Sequence, residues 1–534
     1  MDKKELENIK VSEDIIEYIK VKTNNSKDIY FRKLYVLDED VYIVYNECMT
    51  STDLISNYVI RSLDEISKSD VTKKKLENID INLEKERVFN GNNNGAIKKK
   101  EKRDINYKEI KQKLQLFKDK SLIDTLEKTL SICKVKKLDL KQDDMMYYIF
   151  SGFTLIINNA EILAVETKGK LDRGVSETTT EVTVKGPKES FIENYQTNIG
   201  LIRKRIKDEK LVLEESKIGR RSKTKVGILY IDDIAKPEFV NYVKSKLKKV
   251  DIDAILDSNY VVEILEDSNK SDFPVTISTE RPDLSSFYLL QGRVVLIVEN
   301  SPFAIVVPVF MDDFLNNMDD YYQKHTNVNI TKIVRVIAFF ITLFTPALYV
   351  ALITFDQEAI PTQLLISFVT QREGVPFPAF LEAILMILSF EILRECDYRT
   401  PNVAGNTLSI VGALILGDAA VSAGIVSPIM IIVIAITMIA GLMFNDINIV
   451  NALRKWRIIN LFFASIAGLL GVGISILLFI SKSCSVTSFT KPYTYPLAPF
   501  NFTRIGEILF SRKDISKDTK RQKILTDNLV KYRK

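Results

Sequence analysis

Glu382, Glu391 and Asp418 stand inside residues 375–427, a stretch that otherwise reads as membrane sequence: VPFPAFLEAILMILSFEILREC, followed shortly by IVGALILGDAAVSAGIVSP. An ionised carboxylate in hydrocarbon is costly, so such acids face a bundle interior, a partner subunit or a water path, or sit at a helix end and reach the headgroups. Either way this half of the chain is confined to packed helices, since lipid offers no partner to open backbone.

The flanking sequence supplies the other helices. Residues 333–355, IVRVIAFFITLFTPALYVALITF, are long enough to cross a bilayer, and Pro346 is tolerable inside a packed bundle. Residues 425–444 and 458–480 form two further spans, and Gly468, Gly471 and Gly473 in the last would let another helix approach closely. Residues 378–393 and 408–423 are weaker candidates, the first short and the second rich in small side chains. On a helix Glu382 and Ser389 share a face, whereas Glu391 points the opposite way and has Arg394 at i+3 as a local partner. Glu382, with Ser389, therefore leads Glu391 as an ion-pathway or subunit-interface residue. Asp418 follows Gly417, where a broken or re-entrant helix could offer backbone groups to ions. The preceding IPTQLLISFVTQREGVPFP reads as similarly interrupted.

Charge divides the chain. Of 74 Lys and Arg and 69 Asp and Glu, residues 1–332 hold 55 and 56, residues 333–481 hold 7 and 9, and residues 482–534 hold 12 and 4. The net positive charge thus comes from the tail, and a basic segment beside a span marks the cytoplasmic side and attracts anionic headgroups. The first residues, MDKKELENIK, lack an apolar core, so no signal peptide is expected and the N-terminal half is expected in the cytoplasm. Both ends inside requires an even number of crossings. The five candidate spans are odd in number, and the count becomes even only if the short segment near Ile360 also crosses or one of the five is re-entrant or interfacial; Arg454, Lys455, Trp456 and Arg457 also belong inside.

The soluble half reads as two copies of one α/β module. VYIVYNECMTSTDLISNYVIRSL (41–63) and VGILYIDDIAKPEFVNYVKSKL (226–247) each predict a strand, an acidic turn and a helix. Each is followed by a hairpin, SGFTLIINNAEILAVET turning at Asn158 and Asn159, and QGRVVLIVENSPFAIVVPV turning around Asn300 and Pro302. The second hairpin is apolar enough to mimic a membrane helix, but Glu299 to Pro302 interrupt it and β-branched residues fill both arms. Residues 70–113, rich in Lys, Asn and Glu, form an insertion of roughly 45 residues in the first copy that cannot bury enough surface to fold alone. The expected organisation is an α/β subdomain over 1–185, a second over 186–331, an all-α polytopic membrane domain over 332–481 and a basic cytoplasmic tail over 482–534.

Between the modules a helix is predicted from Pro187 through Ile206. Arg203 and Arg205, with Arg220 and Arg221, form two basic clusters that read first as a solvated face and next as a contact for an acidic subunit surface or headgroups; without an aromatic signature nucleic acid is not expected. Cys48, Cys133, Cys396 and Cys484 are scattered without a CxxC pair, which argues against zinc, redox or disulfide roles. His325 is the single histidine and stands just before a span, so no hydrolytic triad is expected, no metal site and no cofactor.

Several words together resemble the A subunit of bacterial spore germinant receptors: GPKESFIENYQTNIGLIRKRIKD, GRRSKTKVGILYIDDI, DIDAILDSNYVVEILED, TERPD, GRVVLIVENSPFAIVVPVF, REGVPFPAFLEAILM, FEILRECDYRTP, IVGALILGDAAVSAGIVSPIM and PLAPF. The resemblance implies a non-enzymatic, multi-pass protein of the inner spore membrane that forms a homo-oligomer, works with a transporter-like B subunit and a lipoprotein C subunit, and passes a nutrient signal on as a ligand-gated channel for monovalent cations. The chain departs from the family's usual acids at Gln363 and Ile387 and adds one at Asp418. The paralogous stage V sporulation AF protein shares many of these words. A stand-alone secondary transporter would need two membrane repeats, and the sequence shows none.

Overall fold

The computed structural model describes residues 12–37, 39–68, 122–130, 134–139, 142–159, 161–169, 181, 183, 185–266, 272–399, 417–501, 505–506, 510 and 524–528. The linker expected at 70–113 lies outside the described residues, as do most of 408–423 and much of the tail.

Both soluble modules are built on five-stranded antiparallel sheets of one strand order. The first joins β1 (Ile29–Val36), β2 (Glu39–Asn46), β3 (Val135–Leu138), β4 (Phe153–Asn158) and β5 (Glu161–Glu166) as β1-β2-β4-β5-β3. The second joins β6 (Leu211–Ile218), β7 (Thr224–Ile231), β8 (Ile277–Thr279), β9 (Val294–Val298) and β10 (Ala304–Val307) as β6-β7-β9-β10-β8. The shared order bears out the two-copy reading and adds two edge strands to each copy, β1 and β3 in the first and β6 and β8 in the second. β1 and β6 escape sequence reading because they are edge strands whose charged residues, Arg32 and Lys33 or Glu214, Glu215 and Lys217, blur the apolar alternation. The apolar hairpin is β9 and β10, wholly buried, and turns through Asn300 at φ +66°.

Alternate residues of β2 serve opposite faces. Tyr42 and Val44 pack with α1 (Ser12–Lys22), whereas Val41 and Ile43 pack with α2, which begins at Thr52–Leu54 and continues through a π-helical stretch, and with α3 (Leu122–Thr129). α4 (Gln142–Ile149) joins α1. In the second sheet Leu229, Ile231, Val295 and Ile297 meet α5 (Tyr195–Arg205), while Ile228, Tyr230, Leu296 and Val298 meet α6 (Pro237–Lys248) and α7 (Ser258–Glu266). α8 (Pro282–Leu290) packs on the α5 side. α5 starts eight residues later than predicted, because Asn194 caps it by accepting from the Thr197 N–H while the Phe191 N–H donates to the Glu280 carbonyl, holding the preceding chain off helix.

The helical half comprises α9 (His325–Thr354), α10 (Thr362–Arg372), α11 (Ala379–Arg399), α12 (Pro428–Gly441) and α13 (Ile447–Ser485). α12 is 14 residues long, shorter than the span expected over 425–444. α13 is folded back at its middle. A straight helix would hold Trp456 and Phe479 about 34 Å apart, yet their rings meet at 5.3 Å. The reversal falls at Ala467 and at Gly468, whose φ +55° and ψ −137° only glycine adopts readily. A Cβ on Gly471 would overlap the Phe463 carbonyl oxygen, so the glycines expected to admit another helix instead let α13 pack on itself. Gly473 has open space around its Cβ position.

The second arm of α13 returns to the soluble modules. Phe479 and Trp456 join Phe273, Phe239 and Val243 in one core, which Phe339 and Phe344 of α9 enter from the other side. The start of the tail follows: Met311 N–H donates to the Tyr493 carbonyl, Val309 N–H donates to Ser488 Oγ, and Lys491 pairs with Glu238 at 2.8 Å.

Candidate functional site

Glu382 is fully buried in the first turn of α11. Its Oε2 accepts from the backbone N–H of Ser427 at 3.0 Å and from Ser427 Oγ at 2.8 Å, thereby capping the start of α12. Arg372 at the end of α10 brings Nη2 within 3.0 Å of the other carboxylate oxygen. That approach is off-axis, so Oε1 and Arg372 Nε lack hydrogen-bond partners among the described residues, as does the buried hydroxyl of Tyr349 on α9. Nearby, Gly424 turns with φ +65° against the Gly374 carbonyl. Two breaks between helices therefore meet beside one buried ion pair, walled by Ala383, Met386, Val426 and Met430. The sequence pointed to Glu382 but not to Arg372 or Ser427; the interrupted IPTQLLISFVTQREGVPFP is the signal that held the partner.

Glu391 has the partner expected in Arg394 and two more, Arg454 at 2.7 Å and Arg457 at 3.2 Å from the first arm of α13. Three guanidinium groups on one carboxylate make a structural knot. Ser389 does not join Glu382; its hydroxyl donates to the Leu385 carbonyl of its own helix at 2.9 Å. Asp418 is exposed in a short helical segment at 417–422, and its carboxylate forms no hydrogen bond or ion pair among the described residues. The candidate acids thus occupy separate places.

The basic surface needs correction. Arg203 is fully buried, because the inward face of α5 carries it, with Ile199 and Ile202, against the joint between the two modules. There Nε and Nη2 donate to the Asp28 carboxylate at 2.7 and 3.0 Å, Nη2 also donates to Ser26 Oγ, and the guanidinium lies 4.8 Å over the Phe150 ring. Arg205 is tied to Glu189 at 2.6 Å. Only Arg220 and Arg221 are exposed, and Asp251 and Asp253 face them beside an open cleft of about 380 Å³ that Lys217 and Lys248 also line. Among the described residues no three His, Cys, Asp or Glu side chains come together as metal ligands.

The family described as Bacillus/Clostridium GerA spore germination protein matches residues 17–524. The chain belongs to the GerA spore germination family. Spore germination protein KA of Bacillus subtilis is 40% identical over 387 residues, 72% of this chain and 71% of that protein. The uncharacterized membrane protein YfkQ of Bacillus subtilis is 36% identical over 387 residues, 72% and 75% of the two chains. The crystal structure of the N-terminal domain of the A subunit of the Bacillus megaterium spore germinant receptor GerK3 covers 57% of this chain and 96% of its own, at 27% identity and a TM-score of 0.36. Membership of the GerA family places the role of this chain in spore germination. Its membrane association rests on two apolar helical segments, residues 326–354 and 447–485.

Proposed function

We propose that this GerA-family chain is the A-type membrane subunit of a nutrient germinant receptor, and that it converts nutrient binding into germination as an oligomeric, ligand-gated path for monovalent cations. The observation that carries the reading is the buried Arg372–Glu382 pair at the meeting of two helix breaks. Interrupted helices at membrane depth are tolerated where they line a cavity or pack within protein, and buried acids mark ion paths. Its partners are a transporter-like B subunit and a lipoprotein C subunit, and its place is the inner spore membrane. A multi-pass topology with the soluble modules in the cytoplasm is supported by the folded α13: one predicted span becomes two arms, which gives the odd count of candidates its missing crossing. The packing of the tail on the second module is consistent with both ends on one side.

The test is deletion of the gene in its spore-former, with nutrient-triggered cation release as the measurement. Loss of release for at least one nutrient is expected. If release persists with every nutrient while growing cells lose uptake of one solute, a transporter replaces the receptor reading.

A further inference from the structure

α10 has no buried residue, and its two sides differ in kind. At about 100° per residue, Leu365, Phe368 and Arg372 fall on one side, and these are its half-buried positions. Phe368 meets the Tyr349 ring at 6.4 Å and Arg372 reaches Glu382, so this side faces the bundle. On the side turned away from these, within an arc of about 100°, lie Gln363, Ser367, Thr370 and Gln371, all exposed. Gln371 Nε2 donates to Ser367 Oγ at 3.2 Å and Thr370 Oγ1 donates to the Ile366 carbonyl at 2.9 Å, which leaves most of the hydrogen-bonding capacity of the row directed away from the protein.

The depth of this row decides its meaning. Arg335 of α9 is bonded to Asp320 of the soluble side and marks the cytoplasmic boundary of that helix. Tyr349 stands fourteen residues further on, about 21 Å along the axis, within a hydrocarbon core of about 30 Å. Phe368 lies at the level of Tyr349, so Ser367, Thr370 and Gln371 are at hydrocarbon depth. Lipid cannot satisfy amides and hydroxyls there, whereas water can.

We propose that Gln363, Ser367, Thr370 and Gln371 line a water-filled path through the membrane in the assembly of this chain. The inference rests on the channel reading above and assigns that path a wall: α10, with its bundle-facing side fixed by Phe368 and Arg372. The path is lined by neutral amides and hydroxyls, chemistry suited to partly hydrated monovalent cations.

Gln363→Cys, Ser367→Cys and Gln371→Cys, made one at a time in the full chain in its native membranes, test the proposal with a charged, membrane-impermeant thiol reagent, read above the labelling of the unsubstituted chain. Val369→Cys and Leu388→Cys, at exposed apolar positions, are the controls. Labelling of the row at least about tenfold faster than the controls is expected, because the thiolate is the reactive form and needs water. Background labelling at all three row positions, or equal labelling of row and controls, overturns the proposal. Fast labelling of the row that leaves nutrient-triggered cation release unchanged would uphold the row in water and remove the channel reading instead.

Discussion

Asp320 accepts hydrogen bonds from Nη1 and Nη2 of Arg335 at 2.9 and 3.2 Å, and both side chains are buried. Its neighbour Asp319 turns the other way and accepts from Nη1 of Arg281 at 2.8 Å. Arg281 in turn holds Asp283, which also accepts from the Tyr322 hydroxyl. Two adjacent aspartates thus fasten the start of α8 to the start of the first apolar helix, and a displacement of the second module has a stiff route into α9.

Asp320→Asn should leave Arg335 buried without a counter-charge, a loss on the order of 3 kcal/mol. Thermal unfolding of the detergent-solubilised protein should show a clear fall in Tm. Restoring most of it with the double change Asp320→Asn and Arg335→Met would confirm that the stranded charge is the cause. A single variant as stable as the parent would sink the idea of a buried clamp.

Asp28 and Arg203 make the corresponding joint between the two modules. Arg203→Met removes the charge and keeps apolar bulk, but it strands Asp28, which then relies on Ser26 Oγ and Asn46 Nδ2 alone. A loss of about 3 kcal/mol is expected, together with independent proteolysis of the modules in limited digestion. Digestion indistinguishable from the parent would show that other contacts hold the joint.

How much of this was legible beforehand depended on sequence distance. Strands whose continuous apolar runs serve two packed faces, such as β2 and β9, declare themselves locally, as does the capped turn before α2. The Asp28–Arg203 pair spans 175 positions and carries no local sign, because either residue alone suits a solvated surface. Glu391 and Arg394 were readable because i+3 neighbours on a helix must meet. Arg372 was hidden from Glu382 by a break between helices, across which helical periodicity says nothing. The reversal of α13 lay in plain view as GLLG, but glycine serves close approach and sharp turning equally well.

Stability should also depend on pH through Glu181. Burial pushes its carboxyl up to about 7 from 4.5, against the hydrogen bond from Thr279 Oγ1 at 2.7 Å and the charge of Arg281. The folded chain therefore binds a proton that the unfolded chain has lost between those values. Stability falls as pH rises from about 4.5 to about 7 and levels off above, by on the order of 3 kcal/mol at most. Glu181→Gln should flatten the fall in Tm between about pH 5 and about pH 8. An unchanged slope would remove Glu181 as its source.

Glu382 and Glu391 should separate by readout. Gln at 382 can still accept from Ser427 but no longer balances Arg372, so germination and cation release should change at near-normal protein levels. Gln at 391 loosens three arginines that join α11 to α13, so the amount of protein in spore membranes should drop. The opposite assignment, depletion with Glu382→Gln and altered release at full abundance with Glu391→Gln, would reverse their roles.

Gly468 and Asp356 offer the sharpest test of the folded α13. Asp356 follows α9, and its Oδ2 accepts from the Leu469 N–H at 2.7 Å, capping the arm that returns. A Cβ on Gly468 would overlap that same carboxylate oxygen and crowd Phe355, and the residue needs φ +55°. Gly468→Ala should therefore cost more than the roughly 1 kcal/mol typical of losing a helix cap, since it adds backbone strain to a lost hydrogen bond. Asp356→Asn keeps an accepting oxygen and should be mild, whereas Asp356→Ala should be intermediate. Cysteines replacing Trp456 and Phe479 report the fold directly: they should cross-link in the parent background and lose that link progressively from Asp356→Asn to Asp356→Ala to Gly468→Ala. Efficient cross-linking in all three would show that contacts other than the turn and the Trp456–Phe479 pair hold the arms together.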